Sequence, residues 1–97
     1  MTGPPAIVLD MAISHTDFRR TLCQAFGASV VPVGNDGYRV NLPDGAARIH
    51  LAPEAVRRIA SLRYPATLVT IELQGLSAGA SEHFLARFHQ YFQRGGG

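Results

Sequence analysis

Short alternating segments separated by turn residues are the feature that most constrains the fold of this chain. Residues 38–42 alternate apolar and polar side chains between two turn sequences, 34–37 and 43–45. A valine-rich segment, 28–33, precedes the first turn, and another alternating segment, 47–51, follows the second. Alternation with period two indicates strands buried on one side, and turns this short join antiparallel neighbours. The middle of the chain therefore predicts a three-stranded antiparallel meander.

Two amphipathic segments predict the first and the last helix. Ser14 and Asp17 have the spacing of an N-terminal cap, and Gly27 stands where a glycine commonly ends a helix. The last helix is expected to begin at Ser77 or Ala80 and to end near Gln93. A wide apolar stripe marks this last helix: Phe84, Leu85, Phe88, Tyr91 and Phe92. If the core cannot bury the whole stripe, the surplus predicts a dimer interface.

A third, shorter helix is predicted between the meander and the last strand. Pro53 suits the first position of a helix, and Val56, Ile59 and Ala60 form an apolar stripe at helical spacing. Pro65 is expected to end this helix, because the residue before a proline avoids the helical conformation.

The element order predicts an α+β fold. Strands at 6–13 and 67–74 complete the order β-α-β-β-β-α-β-α. We expect a single five-stranded antiparallel or mixed sheet with about three helices packed on one face. A chain of 97 residues is long enough for one domain, expected over 6–94, with a disordered lead-in at 1–5 and a flexible tail at 95–97.

Composition excludes several classes of protein. A hydrophobic fraction of 46% with only 16% charged residues excludes a disordered, charge-rich chain. The net charge of +2 is too small to indicate a nucleic-acid or membrane partner, and no segment is apolar enough for a targeting or membrane-spanning segment. All nine basic residues are arginines, which fits a compositional bias as well as a function. One cysteine excludes an internal disulfide, and the cytoplasm is the expected location.

No motif of known catalytic chemistry is present, which favours a non-enzymatic function without a cofactor or a metal. The single thiol, Cys23, lies beside the apolar stripe of the first helix and is expected at the core or its boundary. Asp10 is a carboxylate in an otherwise apolar strand, and such a group can act as a general base. An enzyme, or an enzyme subunit, would use Asp10, His15 or His50, provided that two of them converge in a pocket.

Two polar faces are the candidate binding surfaces. The polar face of the sheet is predicted to carry Arg39, Asn41, Arg48, His50, Glu72 and Gln74. The outer face of the last helix is predicted to carry His83, Arg87, Gln90 and Arg94. Either face is also compatible with a solvated surface that binds nothing.

Three functions remain open from the sequence. The first is a small non-enzymatic binding or assembly module that forms a homodimer or binds another protein. The second is a nucleic-acid-binding domain that uses arginines of the sheet face and of the helices. The third is the small enzyme just described. A membrane partner is not expected.

Overall fold

The computed structural model describes residues 6–96, and side chains as far as Gln93. The predicted lead-in at 1–5 lies outside the described residues, and so does Gly97 of the predicted tail. The strands are β1 (Ile7–Met11), β2 (Val30–Val33), β3 (Gly37–Leu42), β4 (Gly45–Leu51), β5 (Ala55–Ile59) and β6 (Leu62–Gln74), and the helices are α1 (His15–Phe26) and α2 (Ala78–Gly96).

The structure confirms the α+β class and corrects the number of elements. Six strands are present among the described residues instead of five, and two helices instead of about three. The strand order is β1-β6-β4-β3-β2, β5 pairs with β6, and every pairing is antiparallel. Neither helix combines the length and the apolar character needed to cross a membrane, within the part of the chain that the structure describes.

The prediction of a helix that begins at Pro53 is wrong, because this segment forms β5. Val56 and Ile59 fit a helical stripe, but β5 lies opposite the beginning of β6, which extends back to Leu62. Pairing supplies backbone hydrogen-bond partners to both segments at once. This hairpin pairing overrides the helical pattern of the side chains.

A β-bulge joins β4 to β5. Leu51 pairs with Val69, and the Ala52 N–H donates to the Leu68 carbonyl, before pairing resumes at Ala55 and Ala66. Two residues, Pro53 and Glu54, therefore lie opposite the single residue Thr67, which is the pattern of a bulge. Beyond the bulge, β5 and residues 62–66 of β6 form a two-stranded ribbon, which we call the arm (residues 55–66).

Helix α1 holds the bulge in place. The Ser14 hydroxyl accepts from the Asp17 N–H at 3.1 Å, as the capping pattern predicts. The Glu54 carboxylate accepts from the His15 N–H at 2.8 Å, and the His15 Nε2 atom lies 2.8 Å from the Ala52 carbonyl oxygen. A carboxylate at a helix N-terminus is favourable, because the helix dipole is positive there.

Both helices supply the core that covers one side of the sheet. The centre of the Phe18 ring lies 4.8 Å from the centre of the Phe92 ring, and the centres of the Phe88 and Phe92 rings are 4.3 Å apart. In the stripe of α2, Phe84, Phe88 and Phe92 are buried, while Leu85 and Tyr91 are half-buried. The core thus uses three residues of the stripe, and Leu85 and Tyr91 remain partly exposed. Cys23 is exposed, contrary to the expectation of a core or boundary position.

Neither of the two helices within residues 6–96 lies on the opposite side of the sheet. We call it the outer face, formed by β1, β2, β3, β4 and β6 from Thr67 onward. Burial alternates along β4 and β6, so that every second side chain of these strands points to the outer face.

Candidate functional site

The outer face brings the six predicted sheet residues together. Arg39 is the cross-strand partner of Arg48, and Arg48 is the partner of Glu72 on its other side. Asn41 and Gln74 both lie opposite Ala46, and His50 lies opposite Thr70. The six side chains therefore occupy three neighbouring rows of one surface, although the sequence alone did not fix the strand order.

The polar centre of the outer face has mixed charge. His50 Nε2 lies 3.3 Å from Asp36 Oδ2, and Arg39 Nε donates to Asn41 Oδ1 at 2.9 Å. A shallow cavity of about 350 Å³ lies here, lined in part by Arg48, His50, Asp36 and Glu72. Positive and negative groups alternate around this cavity, so the surface selects neither anions nor cations by charge alone.

Exposed aliphatic side chains flank the polar centre on both sides. Val8 and Leu68 lie on the β1 and β6 side, and Val31 and Val33 lie on β2 at the opposite edge. The register places all four on the outer face, because Val8 lies opposite Thr70 and Val31 lies opposite Arg39. Apolar side chains grouped on an exposed surface often mark an interaction site.

The arm is a second unusual surface, which the sequence did not predict because the segment from Pro53 to Pro65 has the pattern of a helix. All five residues of β5 are exposed, including Ile59 at its end, and so is Leu62, the first residue of β6. One ion pair ties the arm to β1, in which Arg57 Nη1 donates to Asp10 Oδ2 at 2.6 Å. Pro53 and Pro65 marked only the two boundaries of this segment in the sequence.

The candidate catalytic residues do not converge. Asp10 pairs with Arg57, His15 contacts the Ala52 carbonyl, and His50 contacts Asp36. None of the three is hydrogen-bonded to another within residues 6–93. No group of three or more potential metal ligands comes together in the same described part of the chain.

The predicted helical face has a structural role at Arg87. Arg87 Nε donates to the Ala25 carbonyl at 2.6 Å, and its guanidinium carbon lies 5.1 Å from the centre of the Tyr91 ring. This contact satisfies a carbonyl at the C-terminal end of α1, where cations are favourable. His83 and Arg87 line an apolar cavity of about 420 Å³, Gln90 is exposed, and the side chain of Arg94 lies outside the described residues.

Comparisons with known proteins identify no family for this chain. The chain has no significant match to protein-family models, to curated protein sequences or to solved structures.

Proposed function

We propose that this chain is a non-enzymatic assembly module that forms a homodimer by stacking the outer faces of two copies. The observation that carries the proposal is the group of four exposed aliphatic side chains that flank a charge-balanced polar centre on a sheet face that neither described helix covers. The separate positions of Asp10, His15 and His50 support binding over catalysis by that set.

The chemistry of the outer face favours a protein partner over a nucleic acid. Glu72 lies beside Arg48, and Asp36 lies beside His50, so phosphate groups would meet carboxylates as well as cations. Sheet surfaces that bind single strands stack bases on exposed aromatic rings. The aromatic side chain nearest to this centre, Tyr38, instead packs toward Phe18 with a ring separation of 6.2 Å.

A second copy is the partner that the outer face fits best, because opposite charges and apolar side chains would meet on either side of the axis, and the two Arg48 side chains that meet on the axis each lie beside a Glu72. A two-fold axis parallel to the central strand, β4, would place β6 of one copy over β3 of the other. Glu72 would then face Arg39, and Val8 would face Val33, since each pair shares a row of the register. Five strands about 4.8 Å apart give roughly 500 Å² per copy, and two stacked copies bury roughly 1,000 Å², near the lower limit of specific interfaces.

Sedimentation equilibrium of the full chain over a concentration series tests the proposal. We expect a monomer–dimer equilibrium that Val8→Gln weakens at least about tenfold, because a polar group replaces a buried apolar contact. Val56→Gln is the matched control, since Val56 is also a strand valine, is 64% exposed against 60% for Val8, and lies in β5 outside the outer face. A wild-type chain that stays monomeric at about 1 mM would contradict self-association.

A charge exchange identifies the contact. Glu72→Arg should weaken the dimer at least about tenfold, because it places two cations opposite each other. The double variant Arg39→Glu/Glu72→Arg should restore the dimer, since the exchanged charges again face each other across the axis. A double variant as weak as Glu72→Arg alone would reject the stacked arrangement.

We also propose a cytoplasmic location, which the single cysteine supports.

A further inference from the structure

The arm contains all of the excess positive charge of the chain. Arg57, Arg58 and Arg63 lie in it, and residues 55–66 include no Asp or Glu. The remaining chain has six arginines and seven acidic residues, so it carries one net negative charge. The net charge of +2 is therefore the sum of a strongly basic ribbon and a slightly acidic remainder of the chain.

The arginines occupy both faces of the arm. Arg58 and Arg63 are direct cross-strand partners, and both are exposed. Neither has an ion pair with a carboxylate in residues 6–93. Like charges directly opposite each other on a sheet are unfavourable unless an anion lies between them. Arg57 is one position along the strand, so its side chain lies on the other face of the ribbon.

The end of the arm is apolar. Ile59 and Leu62 are cross-strand partners on either side of the turn, and both are exposed. Unpaired cations therefore stand one position behind an aliphatic tip on one face of the ribbon, and Arg57, which pairs with Asp10, stands two positions behind it on the other face.

We propose that the arm binds duplex DNA by entering a groove, with its arginines on the phosphates that form the two walls. The major groove is about 12 Å wide and admits a two-stranded ribbon, whereas the corresponding groove of duplex RNA is too narrow. Arg58 and Arg63 are unpaired and suit the phosphates of one wall, while Arg57 would exchange Asp10 for a phosphate of the other wall. Aliphatic side chains at a tip can contact thymine methyl groups or enter a base step. This proposal uses a surface separate from the outer face and does not depend on the dimer.

Fluorescence anisotropy of a labelled duplex of about 20 base pairs, at about 50 and 200 mM salt, tests the proposal with the full chain. Arg58→Gln/Arg63→Gln should weaken binding at least about tenfold and reduce the slope of log affinity against log salt by about 2, because two phosphate contacts are lost. Arg19→Gln/Arg20→Gln in α1 is the matched control, since it removes the same charge from exposed positions outside the arm. The control should bind within about twofold of the wild type.

The tip and two competing ligands make the test specific. Ile59→Ser/Leu62→Ser should weaken binding and leave the salt slope unchanged, because it removes apolar contact without removing charge. Equal losses in the arm variant and the α1 control would overturn the proposal, as would duplex that fails to bind at the lower salt. Single strands of the same sequence that compete as well as duplex would reject groove entry. Phosphatidylglycerol vesicles that bind the arm when duplex does not would assign it to a membrane surface instead.

Discussion

At the scale of the residue, Gly45 shows how closely the first position of β4 approaches the end of β6. A Cβ atom at Gly45 would lie 2.0 Å from the Gln74 carbonyl oxygen and 3.0 Å from the Gly75 carbonyl carbon. Both obstacles are backbone atoms, so a side-chain rotation cannot relieve the contact. Only a residue without a Cβ atom lets the strand ends meet here.

Gly45→Ala should therefore lower the free energy of unfolding by about 1–3 kcal/mol, measured by urea denaturation. Gly79→Ala in α2 is the control, because a Cβ atom there meets nothing within 4 Å. Alanine should leave the stability unchanged or raise it by up to about 1 kcal/mol at this helical position. Similar losses in both variants would show that the close approach at Gly45 does not limit stability.

Residue patterns in the sequence predicted most of the core and the membership of the outer face. The period of two assigns Arg48 and His50 to one side of a strand whatever its neighbours are, and the six predicted residues meet on that side. Position next to an apolar stripe did not predict burial at Cys23, because α1 buries only a narrow stripe that includes Phe18 and Leu22.

At the scale of the element, the arm is the part that the sequence could not predict. A strand and a helix both accommodate Val56 and Ile59, and the choice depends on whether residues 62–66 are available as a partner. That availability depends on the length of β6, which local spacing does not reveal. The strand order has the same origin, since β6 lies between β1 and β4 through contacts distant in sequence.

The turn of the arm is strained at one residue. Ala60 has a φ of 55°, in the left-handed region that favours glycine. Ala60→Gly should stabilise the closed arm by up to about 1 kcal/mol, because glycine adopts this conformation without a steric cost. We expect the arm to open without unfolding the sheet, because its residues lie outside the core cluster, and the gain is measured by native-state amide hydrogen exchange across β5.

Ser61→Gly is the control for that measurement, because Ser61 is the other turn residue and does not have a positive φ. It should leave β5 protection unchanged or lower it, since glycine raises the entropy of the open arm. In every variant, β5 amides should exchange faster than those of β4, which has β3 and β6 on its two sides. Equal protection of β4 and β5 would show that the arm and the sheet open as one unit.

At the scale of the whole molecule, the arm differs from the rest of the chain both in packing and in charge. The Cα radius of gyration is 13.8 Å, above the roughly 12.5 Å of a compact chain of this length, and the longest extent is 45 Å. The arm carries the basic charge, while the core cluster lies in the helices, the main sheet and Ile13. The molecule thus combines a packed body that presents the outer face with a basic projection that contributes little to the core.

Replacing residues 56–65 by Asn-Gly tests this division directly. The replacement joins Ala55 to Ala66, which are already partners, through a turn sequence suited to a two-residue hairpin. The free energy of unfolding should change by no more than about 1 kcal/mol, because the removed side chains lie outside the core and the Arg57–Asp10 pair is largely exposed.

Urea denaturation, sedimentation equilibrium and duplex anisotropy on one sample then separate the two proposals. A folded, dimeric variant that no longer binds duplex supports both. A folded monomer would show that the arm, and not the outer face alone, holds two copies together, and retained duplex binding would reject the arm as the DNA-binding element.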